Sequence, residues 1–308
     1  MFHRQAEHTT RSSFIFKEVP LHMKCIAIDL DGTLLNKESV ISAENREAIK
    51  RAVDAGILVT ICTGRATFDV KALLDDLDIP IIAANGGTIH DTGYRLISRT
   101  LMDQEAGKAI ADYLLSKNIY FEVYTDDHLL SPFDGEAKLH AELDILKSAN
   151  PNEQTDDLWQ GAMTQFKQFG IKPIPHIESV FDGGENIYKL LCFSFDMDKL
   201  KQAKEELKHH KKLAQTSSGK HIIEILPASS GKGRALTKLA DIYGIETQDI
   251  YAIGDSPNDL SMFEVAGHRI AMENAIDELK EKSTFVTKSN DENGVAYFID
   301  QLLSGQYA

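Results

Sequence analysis

Two aspartates, Asp29 and Asp31, stand where an apolar run stops, in the stretch KCIAIDLDGTLLN (residues 24–36). In an extended chain, residues two apart point the same way. Both carboxylates therefore project from a strand end toward one spot, while Leu30 is directed elsewhere. Gly32 follows at once and permits a tight bend. Other polar groups end apolar runs in the same manner: Thr63-Gly64 after ILVTIC, and Asp255 to Asp259 in IGDSPNDL. Lys232 stands at the start of a helical pattern.

Brought to one place, Asp29, Asp31, Asp255 and Asp259 would repel one another unless a cation neutralised them. All offer hard oxygen, and no Cys or His belongs to the set, so Mg²⁺ suits it better than a metal held by thiolate or imidazole. Lys232, the Thr63 hydroxyl, the Asn258 amide and backbone N–H groups near Gly64 are fitted to hold phosphate oxygens. The implied reaction is phosphoryl transfer. Asp29 attacks phosphorus and forms an aspartyl-phosphate. Asp31 protonates the leaving alkoxide and then deprotonates the attacking water. The cation and Lys232 offset charge on the transferring group.

These residues need a frame that gathers distant segments. Apolar strands (ILVTIC, IPIIAA, IYAIG) alternate with amphipathic helical patterns on both sides of a long middle region. One such helix follows Ser42 as N-cap, with Ile49, Ala52 and Val53 as its apolar stripe. Another runs through SSGKGRALTKLADIYG, with Leu236, Leu239 and Tyr243 inward and Gly244 at its end. That alternation predicts a parallel sheet covered on both faces, with the ligand crevice at its carboxyl edge. The middle reads differently: a hairpin in IYFEVYTDDHLLS, strands in ENIYKLLCFSF and KHIIEILP, a charged helix from Met197, and loops near residues 150–157 and in KPIPHIE. The expected division is an N-terminal extension (1–22), a discontinuous α/β core (23–87 and 228–308) and an inserted α+β unit (88–227).

Bulk properties narrow the function. A net charge of -14 over 308 residues, with KHHKK as the sole basic cluster, speaks against nucleic acid as partner. No apolar stretch is long enough to span a membrane. The first twenty residues lack the apolar core of a signal peptide. The three cysteines have no CxxC spacing and sit singly in apolar runs, as buried thiols do in a reducing compartment. A cytoplasmic protein, monomer or homodimer, with a small phosphorylated metabolite as partner is the expectation. The 11 histidines show no metal-ligand grouping. Arg65 reads as a partner for an acid, Asn85-Gly86-Gly87 as a turn or hinge, and the aromatics of residues 120–124 as core.

In order, DLDGT (29–33), CTGR (62–65), Lys232 in GKGRAL and GDSPND (254–259) resemble the four motifs of the haloacid dehalogenase superfamily. The gap from Thr63 to Lys232 has room for a domain, which resembles the C2-type cap of the Cof-like branch (IIB), and the last fifty residues are similar to that branch throughout. The resemblance implies a Rossmann-like doubly wound core with an inserted cap, and a Mg²⁺-dependent phosphatase acting on small phosphomonoesters: sugar phosphates, or flavin- and pyridoxal-type phosphates. Carried over, it makes Asp29 nucleophile and metal ligand. Asp31 becomes acid/base and a metal ligand through its backbone carbonyl, and Asp255 the third protein ligand. Phosphate falls to Leu30 (backbone), Thr63, Gly64, Lys232 and Asn258, while Asp259 supports Asp255 or Lys232 from behind. Ala66 stands where many relatives have proline. The rival readings are a phosphomutase or phosphotransferase, which passes the phosphoryl group to a second sugar hydroxyl, and a sugar-phosphate-binding regulator with little turnover.

Overall fold

The structure is a computed structural model and describes residues 23–149, 159, 163 and 170–307. The expected N-terminal extension and the expected loop at 150–157 lie outside the described residues. The chain begins with β1 (Cys25–Ile28), α1 (Ala43–Asp54), β2 (Leu58–Cys62), α2 (Thr67–Leu74), β3 (Ile81–Ala83), β4 (Thr88–His90) and β5 (Leu96–Arg99). Its middle supplies α3 (Gln104–Ser116), β6 (Tyr120–Tyr124), β7 (Leu129–Pro132), α4 (Gly135–Ala149), β8 (Ile171–Ile174), β9 (Lys189–Phe193), α5 (Met197–Leu207), β10 (Leu213–Thr216) and β11 (Ile222–Pro227). It returns through α6 (Lys232–Tyr243), β12 (Ile250–Gly254), α7 (Leu260–Val265), β13 (His268–Ala271), α8 (Asp277–Lys282), β14 (Phe285–Val286) and α9 (Gly294–Leu303).

The two ends of the chain build one eight-stranded sheet, in the order β14-β13-β12-β1-β2-β3-β4-β5. It is parallel from β14 to β3, and β4 and β5 add an antiparallel edge. This is the α/β, Rossmann-like frame expected. Its central strands β1, β2, β3 and β12 are buried on both faces, and one hydrophobic cluster joins residues from both chain segments, among them Ile26, Ile61, Leu236 and Phe298. Burying each such side chain stabilises the fold by about 1.5–3 kcal/mol. Helix α1 starts as its sequence dictates, the Ser42 hydroxyl accepting from the Asn45 amide at 3.1 Å. Its buried face is Ala48, Ile49 and Ala52, whereas Val53, read as part of the stripe, is 44% exposed. The expected helix after SSG ends at Gly244 in the left-handed region (φ 68°), where glycine carries no Cβ penalty.

The middle of the chain forms a second sheet, in the order β10-β11-β9-β6-β7-β8. Two expectations change here. Residues 88–99, assigned above to the insert, pair with the core sheet because β4 continues antiparallel from β3, Ile82 facing Ile89. Lys172 to Ile174 of the KPIPHIE stretch, expected as loop, lie in β8, which runs parallel to β7; an edge position tolerates Pro173. Side chains alternate across a sheet. One face of the second sheet (Phe121, Val123, Leu190, Cys192, Ile223, Ile225) packs on α3 and α5 in a core of its own. The other face carries Tyr120, Glu122, Tyr124, Lys189, Leu191 and Glu224, and its apolar members pack with Ala66 of the first sheet's domain. Among the described residues no helix is long and apolar enough to cross a membrane, and all three cysteines are buried and free.

Candidate active site

The winding of the core reverses between β1 and β12: β2 and β3 lie beyond one, β13 and β14 beyond the other. Such a switch point leaves a crevice outside the strands' carboxyl ends. Asp29 follows β1, and its N–H donates to Ile253 O of β12 at 3.1 Å. Asp255 follows β12 directly. The close approach explains the glycine after Asp31. Gly32 has φ 78°, and a Cβ there would collide with Oδ2 of Asp255.

Lys232, at the first turn of α6, joins the two loops. Its Nζ donates to Asp29 Oδ1 at 2.6 Å and to Asp259 Oδ1 at 2.7 Å, and all three side chains are buried. The other oxygen of Asp259 accepts from the backbone N–H of Asp255 at 3.0 Å and of Ser256 at 3.1 Å. Thr33 Oγ1 donates to Asp255 Oδ1 at 2.9 Å. Oxygens of Asp29, Asp255 and Asp259 lie within 4.8 Å of one another, close enough to share a cation.

One lysine does not neutralise three carboxylates. Burial, then Asp259, push the Asp29 carboxyl well above the usual range, with Lys232 opposing. Burial and Asp259 likewise push Asp255 up to about 7, against the hydrogen bond from Thr33 and the charge of Lys232. Burial alone would push Lys232 down, yet Asp259 and Asp29 more than offset it and its pKa rises. The anionic surplus at this edge is the electrostatic condition that a divalent cation relieves.

Asp31 is placed apart from that cluster. Its carboxylate is half exposed and held by the fork of Arg65, with Nε to Oδ2 at 2.8 Å and Nη2 to Oδ1 at 2.7 Å. Arg65 Nη1 also donates to Asp69 Oδ2 at 2.7 Å. Thr63 and Asn258 are buried, and Asn258 Nδ2 reaches Asn85 Oδ1 at 3.5 Å. Asn85 occupies the turn expected there, with φ 52° and ψ 43°. Its Nδ2 is buried with no hydrogen-bond partner among the described residues.

The second sheet closes over this floor. A cavity of about 180 Å³ is lined by Asp29, Asp31, Gly64 and Asn258 below and by Lys189 and Glu224 above. Lys189 Nζ lies 3.3 Å from Glu224 Oε2 and 4.1 Å from the centre of the Tyr124 ring. Sequence reasoning passed over both residues. The signal was one lysine heading KLLCF and one glutamate inside IIEILP, each a charge in an apolar strand, which is costly to bury without a purpose or a partner.

A family profile of haloacid dehalogenase-like hydrolases matches residues 26–299. Phosphatase YwpJ of Bacillus subtilis (strain 168) is 40% identical over 285 residues, 91% of this chain and 100% of that protein. In the same organism, 5-amino-6-(5-phospho-D-ribitylamino)uracil phosphatase YcsE is 31% identical over 279 residues, 89% of this chain and 93% of that one. A solved structure of a haloacid dehalogenase-like hydrolase from B. subtilis superposes with a TM-score of 0.80 at 39% identity, covering 91% of this chain and 100% of its own.

Proposed function

We propose, for a chain that belongs to the haloacid dehalogenase-like hydrolases and is a phosphatase, that it hydrolyses small phosphomonoesters with Asp29 as nucleophile. Sugar phosphates and flavin- or pyridoxal-type phosphates are the substrates weighed, and the ribityl phosphate in the name of YcsE falls among them. The observation that carries the reading is the buried Lys232 ammonium between Asp29 and Asp259, with Asp255 beside them at the switch point.

The donor set fits Mg²⁺: crowded carboxylate oxygens, an excess of negative charge, and no sulfur or imidazole among them. Asp29, Asp255 and the Asp31 backbone carbonyl would hold it, and when bound it supplies positive charge against the phosphate oxygens. The Thr63 hydroxyl, backbone N–H groups at Leu30 and Gly64, the Asn258 amide and Lys232 would hold those oxygens. A carboxylate oxygen of Asp29 forms the bond to phosphorus as the ester oxygen leaves, and Asp31 gives that oxygen its proton. Asp31 then takes a proton from the water that cleaves the aspartyl-phosphate and returns Asp29 as a carboxylate. Releasing the Asp31 carboxylate from the Arg65 fork is a step this cycle requires. The second sheet shields the reaction from bulk water.

The test is a phosphate-release screen over phosphorylated metabolites with Mg²⁺, run beside Asp29→Asn. Release by the wild-type chain that disappears in the variant is expected. Activity that survives Asp29→Asn rejects the nucleophile. Transfer to a second sugar hydroxyl without free phosphate would favour a mutase instead.

A further inference from the structure

The roof of the cavity holds a charged pair that the phosphoryl chemistry above does not use. Lys189 and Glu224 are 1% and 2% exposed. They stand on neighbouring antiparallel strands, Glu224 opposite Leu191 and Lys189 two residues before Leu191, so both project from one face. That face meets the floor at the phosphate end. A Cβ added to Gly64 would lie 3.3 Å from Glu224 Oε1 and 3.4 Å from Lys189 Nζ.

Neither group is saturated by the protein. Glu224 Oε1 accepts from Ser218 Oγ at 2.8 Å, whereas Oε2 is buried and faces the Lys189 ammonium at 3.3 Å without hydrogen-bond geometry. An ammonium has three protons to donate; its neighbours here are the Glu224 carboxylate at 3.3 Å and the face of Tyr124. A buried acceptor and a buried donor left incomplete side by side are costly unless a ligand completes them.

The chemistry selects the ligand. A hydroxyl both donates and accepts, so one hydroxyl, or two neighbouring ones, satisfies carboxylate and ammonium together. A second phosphate or a carboxylate is poorly served. The lysine's charge is already opposed by Glu224, and Glu122 stands on the same face one strand over, opposite Leu191. Burial pushes Lys189 down, with Glu224 and Glu122 opposing and Lys232 adding to the fall.

We propose that Lys189 and Glu224 are the specificity-determining pair for the leaving group, taking its hydroxyls beyond the phosphate and so favouring neutral polyol phosphates over unhydroxylated or doubly anionic ones. This rests on the phosphatase reading above and adds to it which residues choose the substrate.

The test compares ribitol 5-phosphate with n-pentyl phosphate, leaving groups of equal chain length with and without hydroxyls. Three proteins are assayed with Mg²⁺: wild type, Glu224→Gln, and the double variant Lys189→Met/Glu224→Leu, which removes the two partners together so that neither is left without the other. Wild type is expected to prefer the ribitol ester. Both variants are expected to lose about tenfold or more in kcat/KM on it, mainly through KM. The ratio of kcat/KM on the ribitol ester to that on the pentyl ester is expected to fall about tenfold in both variants, and far-UV circular dichroism reports that they fold. Equal loss on both esters, or none on either, overturns the proposal alone. A wild-type chain inert toward both esters and toward the wider metabolite panel overturns the phosphatase reading and this one with it.

Discussion

Floor and roof of the cavity each bury a lysine among carboxylates, and the two lysines are driven in opposite directions. Lys232 has two short contacts, to Asp29 and Asp259, and its pKa rises. Lys189 has one longer contact, to Glu224 at 3.3 Å, and its pKa falls. Burial penalises both ammonium groups; the number and closeness of the anions decide which effect wins. The carboxylates of the floor are short of positive charge. The roof is short of hydrogen-bond partners. The proposed sites of phosphoryl transfer and of recognition thus use the same residue types at different spacing.

The comparison breaks most visibly in turnover. Asp29→Asn removes the proposed nucleophile and is expected to lower kcat by about a thousandfold or more, while Glu224→Gln is expected to affect kcat far less. Comparable kcat losses in phosphate-release assays would erase the distinction between floor and roof.

Next in size is stability. Lys232→Met leaves Asp29 and Asp259 facing each other unpaired, at a cost of about 3–5 kcal/mol near neutral pH. Lys189→Met breaks one longer pair and is expected to cost less. Urea unfolding of both variants checks the order, and a larger loss for Lys189→Met would contradict it.

The acids of the floor give a pH dependence with a definite sign. Asp255 is held up to about 7 in the folded chain by burial and Asp259, against an ordinary value of 3.8. Unfolding between those values releases a proton, so the folded state is favoured at low pH and that contribution is lost as pH rises through about 7. The chelator-treated protein is therefore expected to melt on the order of 5 °C lower at pH 8 than at pH 5.5. Mg²⁺ is expected to raise the melting temperature more at pH 8, where it meets charged carboxylates. A melting temperature that climbs with pH after chelation would contradict the crowding of Asp29, Asp255 and Asp259.

The smallest effect sharpens the roof. Ser218→Ala removes one hydrogen bond to Glu224 Oε1, worth about 1.5–3 kcal/mol when the acceptor is charged, though Glu224 retains Lys189. A two- to threefold rise in KM for ribitol 5-phosphate with kcat unchanged is the expected outcome. A fall in kcat alone would place Ser218 in the chemistry rather than in positioning Glu224.

The sequence by itself determined the floor. Asp29, Thr63, Lys232 and Asp255 stand at the ends or starts of regular elements, and a parallel sheet with a reversal in its winding has one crevice into which such ends point. Motif and topology therefore carry the same information. The roof was decided by tertiary structure. Lys189 and Glu224 lie inside apolar strands separated by a helix and a further strand, and only antiparallel pairing with a fixed register sets them side by side on the inward face. A shift of one residue would have turned Glu224 into the other core. Likewise, nothing local told that residues 88–99 would extend the core sheet or that Asp31 would be gripped by Arg65. Edge pairing and side-chain ion pairs between distant segments depend on how the segments are brought together, which local propensity does not encode.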